Sequence, residues 1–160
     1  MKKIILSTVI LMGLCFSAQA QEISENALGL RFGSNNGFGV EVSYQRALSN
    51  NNRLELDLGW RNSDQISAIK LAGLYQWVWN IEGSFNWYAG VGGGLGFSNW
   101  NQSFDKTNGT FAFATGDIGV EYHFDIPLMV SLDLRPEFGG NEYFKNNYGS
   151  DIALGFKYKF

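Results

Sequence analysis

His123 is the only histidine in the sequence, and with a serine and an acid it could serve a hydrolytic triad. Glu55 and Asp57 stand at alternate positions and could act as a general acid and base. Gly90 to Gly96 is glycine-rich like a phosphate loop, but no Lys-Ser/Thr follows it and no helix pattern begins there, so it is not one. Asn101-Gln102-Ser103 and Asn108-Gly109-Thr110 match glycosylation acceptors by spacing alone. No spacing of Cys, His, Asp or Glu suggests a metal centre. These residues define no catalytic constellation, and neither a cofactor nor a metal is assigned. What they can do depends on the elements that carry them.

The first twenty residues read as a leader. Lys2 and Lys3 precede an apolar run from Ile4 to Phe16, and Ala18-Gln19-Ala20 is a cleavage pattern. The signal peptide is therefore expected over residues 1–20, with the mature domain over 21–160. Its removal takes Cys15, the one cysteine, and with it any disulfide or thiol chemistry. It also takes two cations, so the overall charge of −3 becomes more acidic, which argues against nucleic acid as a partner. Twenty glycines, two prolines and 16% aromatics fit many short strands.

After residue 20 the chain alternates apolar and polar residues, the period of a two-faced strand. Leu54, Leu56, Leu58 and Trp60 alternate with Glu55, Asp57, Gly59 and Arg61. The same period marks seven further stretches, beginning near Leu28, Phe38, Ala68, Trp87, Asp117, Leu128 and Asp151. Within 111–124 the phase slips, since Phe111 and Phe113 are odd-numbered and Ile118 and Val120 even. A β-bulge near Thr115-Gly116 would account for that. The expected fold is all-β: an eight-stranded antiparallel up-and-down transmembrane barrel. Inward turns fall at Ser49–Asn52, Ile81–Ser84 and Asp125–Pro127, and longer outward loops lie between the other strand ends.

One face gathers Arg31, Glu41, Glu55, Asp57, Arg61, Lys70, Asp117, Glu121, Asp133, Arg135, Glu137, Asp151, Lys157 and Lys159. An eight-stranded barrel has room inside for side chains and little else, so these charges must pair. Arg31 with Asp151 and Arg135 with Asp117 are the expected partners by depth. The glycines at 90, 92, 94 and 96 would make room for long side chains crossing from opposite strands. Such an interior is either an ion or proton path or a salt-bridged plug, and the narrow lumen favours the plug.

A soluble lipocalin-like barrel would turn its apolar face inward. Here that face carries almost no charge, with Arg46 the exception, and its aromatics gather near strand ends as girdles do. The ending Gly155-Phe156-Lys157-Tyr158-Lys159-Phe160, with Phe156, Tyr158 and Phe160 at two-residue spacing, resembles the C-terminal signal read by the outer-membrane assembly machinery. Gly116-Asp117-Ile118-Gly119-Val120-Glu121-Tyr122 and Leu132-Asp133-Leu134-Arg135-Pro136-Glu137-Phe138 are similar to small outer-membrane barrels of the OmpA/OmpX type. The resemblance implies a bacterial outer-membrane location, lipids and lipopolysaccharide as surroundings, and a monomer. It also implies a structural, envelope or adhesive role, with a narrow channel as the alternative. Some barrels of this kind modify lipids with a histidine on the outer-leaflet side. His123 instead adjoins an inward turn and reads as a rim residue. The surface-contact candidates are Trp100, Phe104, Tyr143 and Phe144, on loops short for a large adhesive surface.

Overall fold

The computed structural model describes residues 23–34, 38–62, 66–100, 109–139 and 148–160. The expected leader and the loop residues Phe104, Tyr143 and Phe144 lie outside them. Eight strands follow one another: β1 (Asn26–Ser34), β2 (Phe38–Ala47), β3 (Asn52–Asn62), β4 (Ile66–Glu82), β5 (Phe85–Trp100), β6 (Gly109–His123), β7 (Leu128–Gly139) and β8 (Tyr148–Lys159). Each pairs antiparallel with its neighbours, and β1 pairs with β8, so the sheet closes. Asn26 and Phe160 complete the seam by exchanging backbone hydrogen bonds of 3.1 and 3.0 Å. The β4–β5 hairpin turns on Gly83, whose φ of 53° suits a residue without a Cβ.

The register sets the shape. Stepping across paired residues from Ala27 through Gln45, Glu55, Leu74, Gly92, Thr115 and Glu137 leads to Gly149 on β8. Ala27 itself pairs with Lys159, ten residues along. That stagger over eight strands tilts them by about 40° to the barrel axis. At such a tilt, 9–11 residues per strand cross a bilayer. The shortest strand, β1, has 9 residues.

The two faces are inverted relative to a water-soluble protein. Ile69 (58% exposed), Val91 (57%) and Ile152 (62%) point outward, whereas Arg31 (1%) and Glu55 (0%) are enclosed. Aromatics rim the apolar belt at both ends. On the turn side Trp79 stacks on Trp87 at 4.4 Å, and Tyr122 touches Phe85 and Phe124, each at 4.7 Å. On the loop side Phe138 meets Tyr148 at 5.3 Å, with Trp60 and Phe97 exposed nearby in the belt. Arg46 lies on this face close to the turn end, where its long stem can carry the charge to the interface.

No bulge occurs at Thr115-Gly116. The β5–β6 register runs unbroken from Phe85↔Tyr122 to Ser98↔Gly109. The β6–β7 register is the same on both sides of a lapse between Thr115↔Glu137 and Ile118↔Leu134. The lapse lies at Pro136, which has no N–H to donate. The Thr115 hydroxyl fills it, lying 2.8 Å from the Gly116 carbonyl and 3.1 Å from that of Pro136. The phase therefore never slips. Phe111 and Phe113 are inward residues, 2% and 6% exposed, and Ala112 and Ala114 face outward.

Thr115→Val keeps the shape and removes the hydroxyl that stands in for the missing N–H. It should lower the unfolding free energy by about 1–3 kcal/mol, the penalty of an unsatisfied buried polar group. Urea unfolding in lipid vesicles checks this, with Thr115→Ser expected to fall between the variant and the parent.

Candidate functional site

The candidate site is the lumen. Period-two alternation sends every second residue inward, and closure brings eight inward rows within side-chain reach. Among the described residues it holds eight buried carboxylates (Glu41, Glu55, Asp57, Asp117, Glu121, Asp133, Glu137, Asp151) and five buried cations (Arg31, Arg53, Lys70, Arg135, Lys157). Acids outnumber bases, so cations must be shared. Arginine suits this, because its planar fork offers five donors where lysine offers a point charge.

Arg135 is the central hub. Its Nη1 donates to Asp57 Oδ2 at 2.6 Å and its Nη2 donates to Glu55. Asp117 and Asp133 lie 3.6 Å from Nε, and Glu41 3.8 Å from Nη1. The expected Arg135–Asp117 pair is thus the longer-range partner of an arginine held more closely by Asp57 and Glu55. Glu55 is also reached by Lys157 Nζ at 3.7 Å and by the Gln45 amide.

Arg31 is the second hub. Its Nη1 donates to Glu41 and to Asp151, each at 2.8 Å, and its Nε to Asp133 at 3.0 Å. Asp133 belongs to both hubs and joins them. Lys70 pairs with Glu137 toward the loop end. Arg61 is placed opposite Gly39 by the β2–β3 register. Lys159 is only half-buried, and its Nζ donates to the Phe124 carbonyl at 3.2 Å, so it belongs to the rim and not to the interior.

Toward the turn end stands a third hub that charge counting from Leu54 onward passes over. Arg53 is enclosed, 2.8 Å from Glu121 Oε2, bonded to Gln76 at 2.6 Å and 4.8 Å from the Tyr88 ring centroid. Its odd number, shared with Glu55 and Asp57, is the signal that places it inside. Gln76 donates onward to Asp117, linking this hub to Arg135. His123 Nε2 lies 2.8 Å from Glu121 Oε1 and 3.2 Å from the Asn86 amide. Neither of these two partners is a serine.

The glycine stripe serves neighbours and not crossing charges. A Cβ on Gly96 would lie 2.3 Å from Phe111 Cζ, and one on Gly94 2.6 Å from Phe113 Cζ. At Gly90 it would meet Gln76 Cγ at 2.8 Å, and at Gly92 the Gly73 carbonyl at 2.1 Å. The rings come from the adjacent strand because β6 presents phenylalanines inward at the rungs of Gly94 and Gly96. Phe156, Tyr158 and Phe160 project from the outer face of β8, exposed by 41%, 58% and 61%. Trp100 ends β5.

A closed eight-stranded sheet with an apolar outer belt and an ion-paired interior is a transmembrane β-barrel. No protein-family model matches the sequence, and no curated protein matches it. Solved structures do. The N-terminal β-barrel domain of Pseudomonas aeruginosa OprF has a TM-score of 0.68 at 12% identity, covering 84% of this chain and 98% of that one. Neisserial surface protein A (NspA) has a TM-score of 0.64 at 13% identity, over 84% and 94%. Ail, the attachment invasion locus protein of Yersinia pestis, has 0.53 at 15%, over 86% and 97%. The fold is that of the small eight-stranded outer-membrane barrels.

The distances rank the partners of Arg135. A double-mutant cycle between Arg135→Met and Asp57→Asn should show a larger coupling than one between Arg135→Met and Asp117→Asn, within the roughly 0.5–3 kcal/mol seen for contacting residues. Arg135→Met alone should cost about 3–5 kcal/mol, since it leaves carboxylates buried without their cation. Equal couplings in urea titrations would refute the hub geometry.

Proposed function

We propose that this chain is an integral protein of a bacterial outer membrane, exported with cleavage after Ala20. In this reading its lumen is plugged by charged side chains, and its role is structural within the envelope or one of surface contact, without catalysis. The observation that carries the reading is the hub network. Arg31, Arg53 and Arg135, each enclosed, fill the lumen together with their acids, in a barrel whose size leaves space for side chains alone. A network of this kind occupies the volume that a conducting path would need.

The outer belt suits lipid and lipopolysaccharide as surroundings. Phe156, Tyr158 and Phe160 suit recognition by the barrel-assembly machinery. The closed sheet has no free edge to offer, which suits a monomer. Among the similar structures, Ail is described as an attachment protein and NspA as a surface protein. A contact role here would fall to Trp100 at the end of β5 and to Phe104, Tyr143 and Phe144.

Two measurements test the proposal. The protein should partition with the outer-membrane fraction and migrate differently boiled and unboiled. Purified and placed in a planar bilayer, it should give no steady conductance. Recovery in the soluble periplasm would overturn the membrane assignment, and discrete conductance steps would overturn the plug.

A further inference from the structure

We propose that Phe111 and Phe113 form an apolar lid across the loop end of the lumen, a second barrier in series with the ion-pair network. The inference rests on the plugged-lumen reading and adds a chemically different layer to it.

β6 enters the barrel from the loop side at Gly109, so Phe111 and Phe113 are the first bulky inward residues it supplies. Both rings are enclosed and lie 6.1 Å apart. They pack with Ala68, Ala72 and Leu74 of β4 into the one apolar cluster found inside the barrel among the described residues. They seat on β5 where Gly94 and Gly96 leave the space that a Cβ would take. Lys70 Nζ lies 5.0 Å from the Phe113 ring centroid while pairing with Glu137. The lid thus rests on the outermost described ion pair of the network.

Burial of the rings is not explained by their hydrophobicity. In a bilayer the outer face accepts phenylalanine freely, yet β6 turns Ala112 and Ala114 to that face and its two rings inward. Within β6 the inversion is confined to the loop half. Below it Ile118 and Val120 face outward and Asp117 and Glu121 inward; Leu74, Val78, Tyr88 and Met129 of other strands are also enclosed, without a second ring beside them on the same strand. The placement does something that charge cannot. An ion-paired layer blocks by filling volume, but its carboxylates and guanidiniums are themselves ligands that an entering ion could exchange with. An aromatic constriction offers no oxygen ligand, only the weaker attraction of a ring face for a cation, which Lys70 already occupies at Phe113. An ion there sheds water without replacement, and a narrow apolar gap empties of water altogether.

The test uses thiol accessibility. Ala72, on the lumen face, pairs with Gly94 and lies deeper along β4 than Ala68. Ala72→Cys is introduced into the full chain carrying Cys15→Ser, and its reaction with a cationic methanethiosulfonate reagent is timed in lipid vesicles. With both rings present the reaction should be slow. Adding Phe111→Ala and Phe113→Ala should raise the rate at least about tenfold, because the dewetted layer is gone. An unchanged rate in a variant that keeps its folded, heat-modifiable migration would overturn the lid. Should the double variant lose that folded band, Phe111→Ser alone gives the same reading with a smaller rise, and no rise there overturns the lid equally. Conductance by the unaltered protein would overturn plug and lid together, whereas an unchanged labelling rate in a non-conducting protein would overturn the lid alone, so the two failures are distinguishable.

Discussion

A peptide group inside a bilayer has no water to bond to, so each backbone donor and acceptor must be satisfied within the protein. The rest of this molecule follows from that demand. Strands satisfy each other, but the outermost two would carry a free edge, and only joining β1 to β8 removes it. Joining them fixes the number of rows that face inward and, through the stagger, the tilt and bore. Where the β6–β7 ladder lapses, at Pro136, the Thr115 hydroxyl patches it. A side chain is diverted from the lumen to the backbone there because leaving the carbonyl bare in lipid would cost more than the diversion.

Closure at eight strands then dictates the chemistry inside. The bore admits side chains only, so each inward residue must be satisfied by other inward residues. Eight carboxylates share five cations among the described residues, and the sharing works because arginine can serve several acids at once. Networks of this kind contribute little net stability compared with an apolar filling, since desolvation offsets most of the attraction. What they supply is facing. A strand slipped by one residue would turn Arg31, Glu55 and Asp133 into lipid and Leu30, Leu56 and Leu132 into the lumen. The cost of that slip is what holds the register.

The same period made the architecture legible in the sequence. Alternation, turn residues and parity together specify eight strands, their order and the outward aromatic rims, because each follows from local pattern. The parts that were not legible depend on neighbours. Arg53 shares the parity of Glu55, but its nearness to a turn hid its place in the network until β4 and β6 supplied Gln76 and Glu121. Pro136 signals a lapse in pairing only once β6 is known to lie beside it. Phe111 and Phe113 misled for a plain reason. Hydropathy alone implies two phases and a bulge between them, whereas the register continues and the hydropathy of the faces reverses.

That reversal separates the two ends of the lumen. At the turn end, Glu121, His123 and Asn86 form a hydrogen-bonded group that Asn80 joins by donating its Nδ2 to Asn86 Oδ1 at 2.9 Å. Polar atoms there reach to the rim, as suits a mouth in contact with water. At the loop end of β4–β6 the inward face is mostly phenylalanine, alanine and glycine, with Lys70 and Ser98 as its buried polar members. A lumen lined by charge throughout would have satisfied the closure requirement equally well, so closure does not account for the difference. Exclusion does. Rings at the loop end present to ions a surface that replaces little of their hydration, beside a lysine already held by Glu137. The inversion in β6 is therefore the point at which this chain departs from what its fold requires.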